Sequence, residues 1–298
     1  MICLEKYLNR FYFEEAPPER PAILRVLVGV WVLYYLGKRY RMLVEIAASD
    51  GRLFRPVGVV SRMKKPAKVG TVRALYFATM ISAAAFALGF RHRTSGPAFA
   101  SLLLWLLSYR NSWSMIFHTD NGLVLHAIVL GFSRSADALS VDALLRDEAA
   151  PEPHWRYGWP ARLVSALTVL TYFVAGVAKF AGPLGRSWTD GEEMRAQIGV
   201  DALRKDLLGG EAGKASPLVA KLYRNKSIFR AAGFGSLVLE VCAPLFLLDK
   251  RLARLWAAGA FAMHWGIFAM MKIKFRYQMS GLIFASFLDL DRLWKQTK

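Results

Sequence analysis

Cysteine is scarce in this chain of 298 residues, which contains only Cys3 and Cys242. The two lie far apart and no CxxC pair occurs, so we expect neither a disulfide nor a thiolate metal site. The chain also lacks the HExxH, P-loop, GxSxG and GxGxxG signatures. His118 and His126 are eight positions apart, which is not a metal-ligand spacing. These absences exclude the common metal, nucleotide and hydrolase sites.

Acidic residues are few, with 22 Asp and Glu against 40 Lys and Arg, a formal net charge of +18. No DNA- or RNA-binding signature accompanies the basic residues, so we do not expect a nucleic-acid partner. The basic residues lie mostly in the connections between apolar runs. Anionic lipid headgroups and the preference for positive charge on one side of a membrane account for them there.

A cleavable leader is not indicated, because the first twenty residues contain four glutamates and no pure apolar stretch. Leu4, Tyr7, Leu8 and Phe11 have the i, i+3, i+4, i+7 spacing of an amphipathic helix. Residues 1–20 are therefore predicted to lie on a membrane surface as an interfacial helix.

Apolar residues are abundant and come in long runs. They make up 55% of the chain, and the mean hydropathy is +0.27. Runs of this kind are long enough for membrane-spanning helices, whose backbones satisfy their own hydrogen bonds in lipid. The fold class predicted is all-α, a polytopic integral membrane bundle of about eight transmembrane helices in a single domain over 1–298, without an extramembrane C-terminal domain. The predicted spans are about 22–40, 71–90, 96–109, 117–133, 161–183, 228–248, 254–271 and 276–290.

Lys179 is the most unusual charge, because it follows a long apolar stretch and charged groups inside a bilayer are costly. Its stem could reach the interface, since Gly182-Pro183 ends the helix. It could instead form a structural pair with Glu240. A third interpretation is a general base, because a neutral amine can take a proton from an enol or phenol.

A second group of candidates opens the fourth span in the stretch FHTDNGLVLH. His118, Asn121 and Gly122 share one helix face, and Gly122 would let a ligand or a helix approach closely. Asp120 lies beside them. With eight spans, His118 and Lys179 would lie near the same membrane face. An isolated histidine at this place is more often a hydrogen-bonding residue at a helix end than a catalyst.

Glu240 lies in the middle of its span and must be paired or protonated. Lys179, His264 and Arg25 are the partners considered. His264, which is also inside a span, is interpreted as a polar contact within the bundle.

Several stretches together resemble the HTTM domain, the membrane domain shared with vitamin K-dependent gamma-glutamyl carboxylase. They include FHTDNGLVLHAIVLGFSRSADALSVDALL, YFVAGVAKFAGPLGRSWTDGEEM, GSLVLEVCAPL and RLWAAGAFAMHWGIFAMMKIKF, and ILRVLVGVWVL is similar to the first span of that family. The resemblance covers about residues 5–290. It implies that Lys179, in the Ala-Gly-x-x-Lys stretch, is the base that deprotonates a reduced quinone, and that His118 assists it.

The resemblance also implies reduced vitamin K or menaquinone as cofactor and a quinol-oxygenating, lyase-like activity. On this basis Lys179, His118 and Asp120 are the predicted catalytic residues. Asn121, Gly122, Trp188 and Gly191 are predicted to contact substrate or to shape the loop over the site. Glu240, His264 and Arg25 are predicted to support them.

The chain departs from the carboxylase in two places. Its sequence stops soon after the last span, and the usual Asn-His pair reads Phe117-His118. The alternative is therefore a non-catalytic membrane factor for maturation or export of a peptide, similar to sporulation-delaying protein B. Either protein would be a multi-pass protein of a bacterial inner membrane, with the lipid bilayer and a quinol, peptide or protein as partners. A transporter is less favoured, because no inverted repeat is evident.

Overall fold

The computed structural model describes residues 12–146, 151–209 and 213–296. Within these ranges the chain is helical, and the only β geometry is an isolated bridge between Ala16 and His154. This confirms the all-α prediction. Most of the predicted surface helix at 1–20 lies outside the described residues.

The α-helices described are α1 Glu19–Gly37, α2 Tyr40–Ala47, α3 Val69–Leu88, α4 His92–Asn111, α5 His118–Phe132, α6 Val141–Leu144, α7 Trp155–Ala181, α8 Gly185–Thr189, α9 Glu192–Leu208, α10 Pro217–Leu222, α11 Lys226–Val241, α12 Ala243–Phe246, α13 Lys250–Met271, α14 Arg276–Met279 and α15 Leu290–Gln296.

Three of the described helices, α1, α3 and α7, are long and apolar enough to cross a membrane. The shorter helix α5 is also apolar, from Thr119 to Phe132. Many large apolar side chains on these helices point away from the protein, such as Ile81, which is 72% exposed, and Phe180, which is 64% exposed. An apolar exposed surface of this extent is what lipid tails would cover.

The predicted spans 96–109, 228–248 and 254–271 coincide with α4, with α11 followed by α12, and with α13. The segment 276–290 is not a single helix. Helix α14 ends at Met279, Gly281 adopts φ +79°, and a 3₁₀ turn follows at Leu282–Phe287. A residue in the left-handed region ends an α-helix, and glycine adopts that conformation without a steric cost.

Two compact units are distinguished within the chain. The first unit consists of residues Met1–Ser165 and Asp289–Lys298, and the second consists of Ala166–Leu288. Helix α7 begins in the first unit and ends in the second. The two units are described separately below.

In the first unit, α1, α3, α4 and α5 pack against one another around a core of buried leucine, valine and phenylalanine side chains. Arg25, which is fully buried in α1, donates hydrogen bonds of 2.5 Å to the carbonyls of Ser135 and Leu139. Asp142 accepts from the backbone N–H groups of Arg91 and His92 at 2.7 and 2.8 Å, and so caps α4. The Ser-x-Asp-x-Leu block therefore holds the chain reversal between α3 and α4 in place.

In the second unit, the segment between α7 and α11 contains the helices α8, α9 and α10. Asp249 precedes helix α13 and caps it, because its carboxylate accepts from the backbone N–H groups of Arg251 and Leu252 at 2.8 and 3.0 Å. These two bonds, with that of Leu252 the stronger influence, hold the pKa of Asp249 below its usual range.

Candidate functional site

Lys179 and Glu240 form a close pair in the second unit. The Lys179 Nζ donates to both carboxylate oxygens of Glu240, at 2.7 Å each. The Glu240 side chain is buried, with 6% of its surface exposed, whereas the Lys179 side chain is 28% exposed. These bonds use two of the three N–H groups of the ammonium. Lys179 is therefore fixed by its partner on one side while part of its surface stays accessible.

Gly176 explains how the two helices come close enough for this pair. It lies three residues before Lys179, which is nearly one turn of α7. A Cβ atom at this position would lie 2.7 Å from the Glu240 Cβ and 2.9 Å from the backbone nitrogen of Val241. Real Cβ contacts do not reach such distances, so α7 and α11 approach here only because residue 176 has no side chain.

Replacing Gly176 with alanine is expected to lower the free energy of unfolding by about 1–3 kcal/mol, because the added methyl group would overpack the contact between the helices. The measurement is thermal or denaturant unfolding of the protein in detergent, followed by tryptophan fluorescence. The matched control is Gly266→Ala in α13, where a Cβ would meet nothing within 4 Å. The control is expected to be neutral or to stabilise by up to about 1 kcal/mol through helix propensity. Equal effects at both positions would contradict the close approach.

Trp188 lies against the lysine on a short connecting helix, α8. The Lys179 Nζ is 4.9 Å from the centre of the Trp188 ring, within the range of a cation–π interaction. The backbone after Trp188 is held against α11 by two glycines. A Cβ on Gly233 would lie 2.6 Å from the Trp188 carbonyl oxygen, and a Cβ on Gly191 would overlap the Phe229 carbonyl. Trp188 and Gly191 therefore lie on the segment next to the lysine, and their predicted role toward a substrate stays a prediction.

His264 lies in the same unit and is buried, with 6% exposure. Its Nδ1 is 2.8 Å from the Ala260 carbonyl oxygen and 3.4 Å from the Tyr172 hydroxyl. The ring also packs edge-on against Phe275, with the ring centres 5.0 Å apart. These contacts fit the interpretation of His264 as a polar contact within the bundle.

Asp120 belongs to a different network, in the first unit. Its carboxylate is fully buried, accepts a 2.5 Å hydrogen bond from the Tyr35 hydroxyl, and is paired with the Arg110 guanidinium. Arg110 is itself buried and stacks over the Phe117 ring, with Cζ 3.7 Å from its centre. One carboxylate thus joins α1, α4 and α5. Because both of its oxygens are engaged, Asp120 is better placed to hold these helices together than to move a proton.

The other predicted site residues of the first unit have different surroundings. His118 is the first residue of α5, and its side chain lies outside the described part of the structure. Its predicted role beside Lys179 therefore stays a prediction. Asn121 is exposed and Gly122 is buried on α5. Arg25, considered above as a partner of Glu240, holds the carbonyls of Ser135 and Leu139 within its own unit.

Sequence reasoning did not identify Arg110 and Tyr35 as the partners of Asp120, or Gly176 as the residue that admits Glu240. Arg110 was detectable in principle, because it is the only charge near the end of the third apolar run. Tyr35 carried no signal beyond an aromatic ring near a span end. The importance of Gly176 depends on a neighbour that follows it by more than sixty residues, which no local pattern indicates.

Together, the apolar helices and the ion pairs Lys179–Glu240 and Arg110–Asp120 inside the helical units indicate an integral membrane protein. The chain belongs to the HTTM domain family, whose model matches residues 13–279. Lys179, Glu240, Asp120 and all the other predicted site residues lie within the matched range. Neither the curated proteins nor the solved structures include a significant match to this chain.

Proposed function

We propose that this protein is a membrane enzyme that deprotonates a quinol-like, lipid-soluble substrate at Lys179, as the carboxylase-like membrane domain of its family suggests. The observation that carries the proposal is the arrangement of Lys179 itself. It combines a fixed position, a buried carboxylate partner, an aromatic face beside it and a partly accessible surface. Reduced vitamin K or menaquinone is the proposed substrate, and a bacterial inner membrane crossed by about eight helices is the proposed location.

The Lys179–Glu240 pair can supply the base without a change in total charge. Transfer of one proton from the ammonium to the carboxylate gives a neutral amine and a neutral carboxylic acid. The neutral amine can then accept the proton of a phenolic O–H, which leaves the substrate as an anion next to the ammonium. Glu240 would hold the first proton, and the Trp188 ring would stabilise the cation once it has formed.

The experiment is oxygen uptake by the purified protein in detergent, with reduced menaquinone or reduced vitamin K as substrate. Wild type is expected to consume oxygen above the background rate, and Lys179→Ala and Lys179→Arg are each expected to reduce the rate by about 100-fold or more, since both lack a usable neutral amine. Glu240→Gln should also be slow, because the glutamine cannot take the first proton.

Lys205 offers a control, because it is another lysine of the same unit that is paired with a carboxylate, and its side chain is buried. Its Nζ is 2.5 Å from Asp201 and also contacts the Met271 carbonyl. Lys205→Ala is expected to destabilise the protein but to leave oxygen uptake per folded molecule unchanged. If Lys179→Arg keeps the full rate, or if the folded wild type consumes no oxygen with either quinol, the enzymatic proposal is wrong for these substrates.

A second candidate is a non-catalytic membrane factor for maturation or export of a peptide. It is favoured by the closed geometry of the pair, since a lysine held by two hydrogen bonds to one carboxylate is also what a structural ion pair requires. The charge-reversed double variant Lys179→Glu/Glu240→Lys separates the two. A structural pair predicts that the reversal restores stability lost in each single variant, with no oxygen uptake in any form of the protein.

A further inference from the structure

A strongly basic segment, residues 50–68, lies between α2 and the start of α3 in the first unit and is called the basic platform below. It contains six Lys and Arg residues against one acidic residue, Asp50, a formal net charge of +5. All six basic residues are exposed, and Lys68 directly precedes α3. Because α1 and α3 are both long and apolar enough to cross a membrane, the platform between them lies where the chain leaves the lipid.

The basic platform is fixed to the end of α4. Phe54 and Val60 are buried in an apolar cluster that also contains Tyr109. The backbone N–H of Arg55 donates to the carbonyl of Ser112, the residue after α4, at 2.7 Å. A second backbone N–H of the platform donates to the Ser112 hydroxyl at 3.1 Å. The backbone is therefore held in one conformation, and the side chains that point outward have defined positions.

Five of the six cations of the platform have no carboxylate partner among the residues that the structure describes. Arg52 is the exception, since it pairs with Asp50 at 2.6 Å. The other five form neither an ion pair nor a side-chain hydrogen bond with the described part of the chain, and they are Arg55, Arg62, Lys64, Lys65 and Lys68. Like charges crowded into one short segment repel one another and attract a partner of opposite charge. The platform therefore favours an anionic partner.

Two large apolar side chains point outward between these cations. Leu53 is 63% exposed and lies next to Arg52, and Val59 is 54% exposed and lies three residues before Arg62. The residue after each of them is buried in the cluster, so the anchored backbone itself directs Leu53 and Val59 outward. A soluble anion would pair the cations but would leave both apolar side chains in water. A membrane interface accommodates both kinds of group, because cations meet the headgroups while apolar side chains enter the boundary of the acyl chains.

We propose that the basic platform docks on the surface of an anionic phospholipid membrane. The five unpaired cations contact the negatively charged headgroups, and Leu53 and Val59 insert between them to the level of the first acyl carbons. Docking holds this end of the first unit against the lipid surface. The platform uses no residue of the Lys179–Glu240 pair, so the proposal does not rest on the proposed function.

The test measures which lipid lies next to the platform. Ser61, an exposed residue within it, is replaced with cysteine and labelled with bimane in a Cys3→Ser/Cys242→Ala background. The full chain is reconstituted into phosphatidylcholine vesicles that contain a small fraction of either phosphatidylglycerol or phosphatidylcholine with a doxyl quencher near the glycerol end of one acyl chain. From the quenching, phosphatidylglycerol is expected to associate about fivefold more strongly than phosphatidylcholine, the effect of one Lys or Arg near an anionic surface. Equal quenching by the two lipids, or no quenching by either, would overturn the proposal.

Removing charge from the platform should remove the lipid preference. The triple variant Arg62→Gln/Lys64→Gln/Lys65→Gln is expected to lower the preference for phosphatidylglycerol to about twofold or less. Raising the concentration of sodium chloride should have the same effect on the protein with its native charges, because salt screens exposed charges, and this arm needs no charge variant. Arg93→Gln is the control, since Arg93 is an exposed cation at the opposite end of α4, and it should leave the preference unchanged. A preference that the triple variant does not alter would contradict the proposal.

A second variant tests the insertion of the apolar side chains. Leu53→Asn/Val59→Asn keeps every charge of the platform, so the ratio of quenching by the two lipids should stay as in the labelled protein without these changes. Quenching by both lipids should become weaker, because the platform no longer enters the acyl boundary. Unchanged quenching by both lipids would show that Leu53 and Val59 do not insert, which would overturn this part of the proposal.

Discussion

Replacing Asp120 with alanine is expected to lower the free energy of unfolding by about 3–5 kcal/mol, because removing one member of a buried ion pair leaves the other charge uncompensated. The Arg110 side chain is only 10% exposed and would lose its partner, and the Tyr35 hydroxyl would lose its acceptor. The variant should also loosen the packing of α1, α4 and α5 against one another. Unfolding in detergent, followed by tryptophan fluorescence, measures the loss.

The double variant Arg110→Met/Asp120→Leu is the informative companion. Replacing both charges with apolar side chains of similar volume removes the uncompensated cation, so most of the stability should return. Arg52→Ala is the surface control, because Arg52 pairs with Asp50 and its side chain is 90% exposed. No measurable change is expected there, since exposed pairs contribute little. A loss below about 1 kcal/mol for Asp120→Ala would contradict a buried network that holds three helices.

Replacing Gly191 with alanine is expected to cost about 2–5 kcal/mol, because two penalties combine at this position. Its φ of +82° is unfavourable for any residue with a Cβ, and the new Cβ would overlap the Phe229 carbonyl and the Arg230 amide nitrogen. The backbone would have to move away from α11, and the Trp188 ring would move with it. Unfolding in detergent measures the loss of stability.

Gly213 is the matched control for the conformational part of this effect. It has nearly the same φ, +80°, but a Cβ there would meet nothing within 4 Å. Gly213→Ala should therefore cost only about 1–2 kcal/mol, the strain of the left-handed conformation. The difference between the two variants measures the steric contact with α11. If the two variants are equally stable, Gly191 is required for its φ angle alone.

The helical class and most helix positions could be predicted from the sequence, because long apolar runs with few charges favour helices in lipid whatever their neighbours are. The exception at 276–290 is instructive. Composition alone suggests one span there, but Gly281 takes a left-handed conformation and divides the segment. Composition does not reveal which glycines inside an apolar run continue a helix and which end it. Among those described, Gly176 continues its helix and Gly281 does not.

The candidate site was only partly predictable. Lys179 and Glu240 stood out because each is a lone charge in an apolar run, and such charges need partners. That argument indicated Glu240 as one possible partner of Lys179. It could not identify the partners of Asp120, which is also a charged residue in an apolar run but is bonded to Tyr35 and Arg110. The partners of Asp120 come from two other helices, and a pairing across helices depends on packing that no single segment encodes.

The spacing of the two buried pairs along the chain has a consequence for synthesis. Arg110 and Asp120 are ten residues apart and lie in adjacent helices, so they can meet as soon as that hairpin has left the ribosome. Lys179 precedes Glu240 by 61 residues. At a translation rate of about 5–20 residues per second, the lysine waits about 3–12 s before its carboxylate exists. During that time α7 has to keep an unneutralised charge at the end of its apolar stretch, so the insertion of this helix has to tolerate a lysine without its partner.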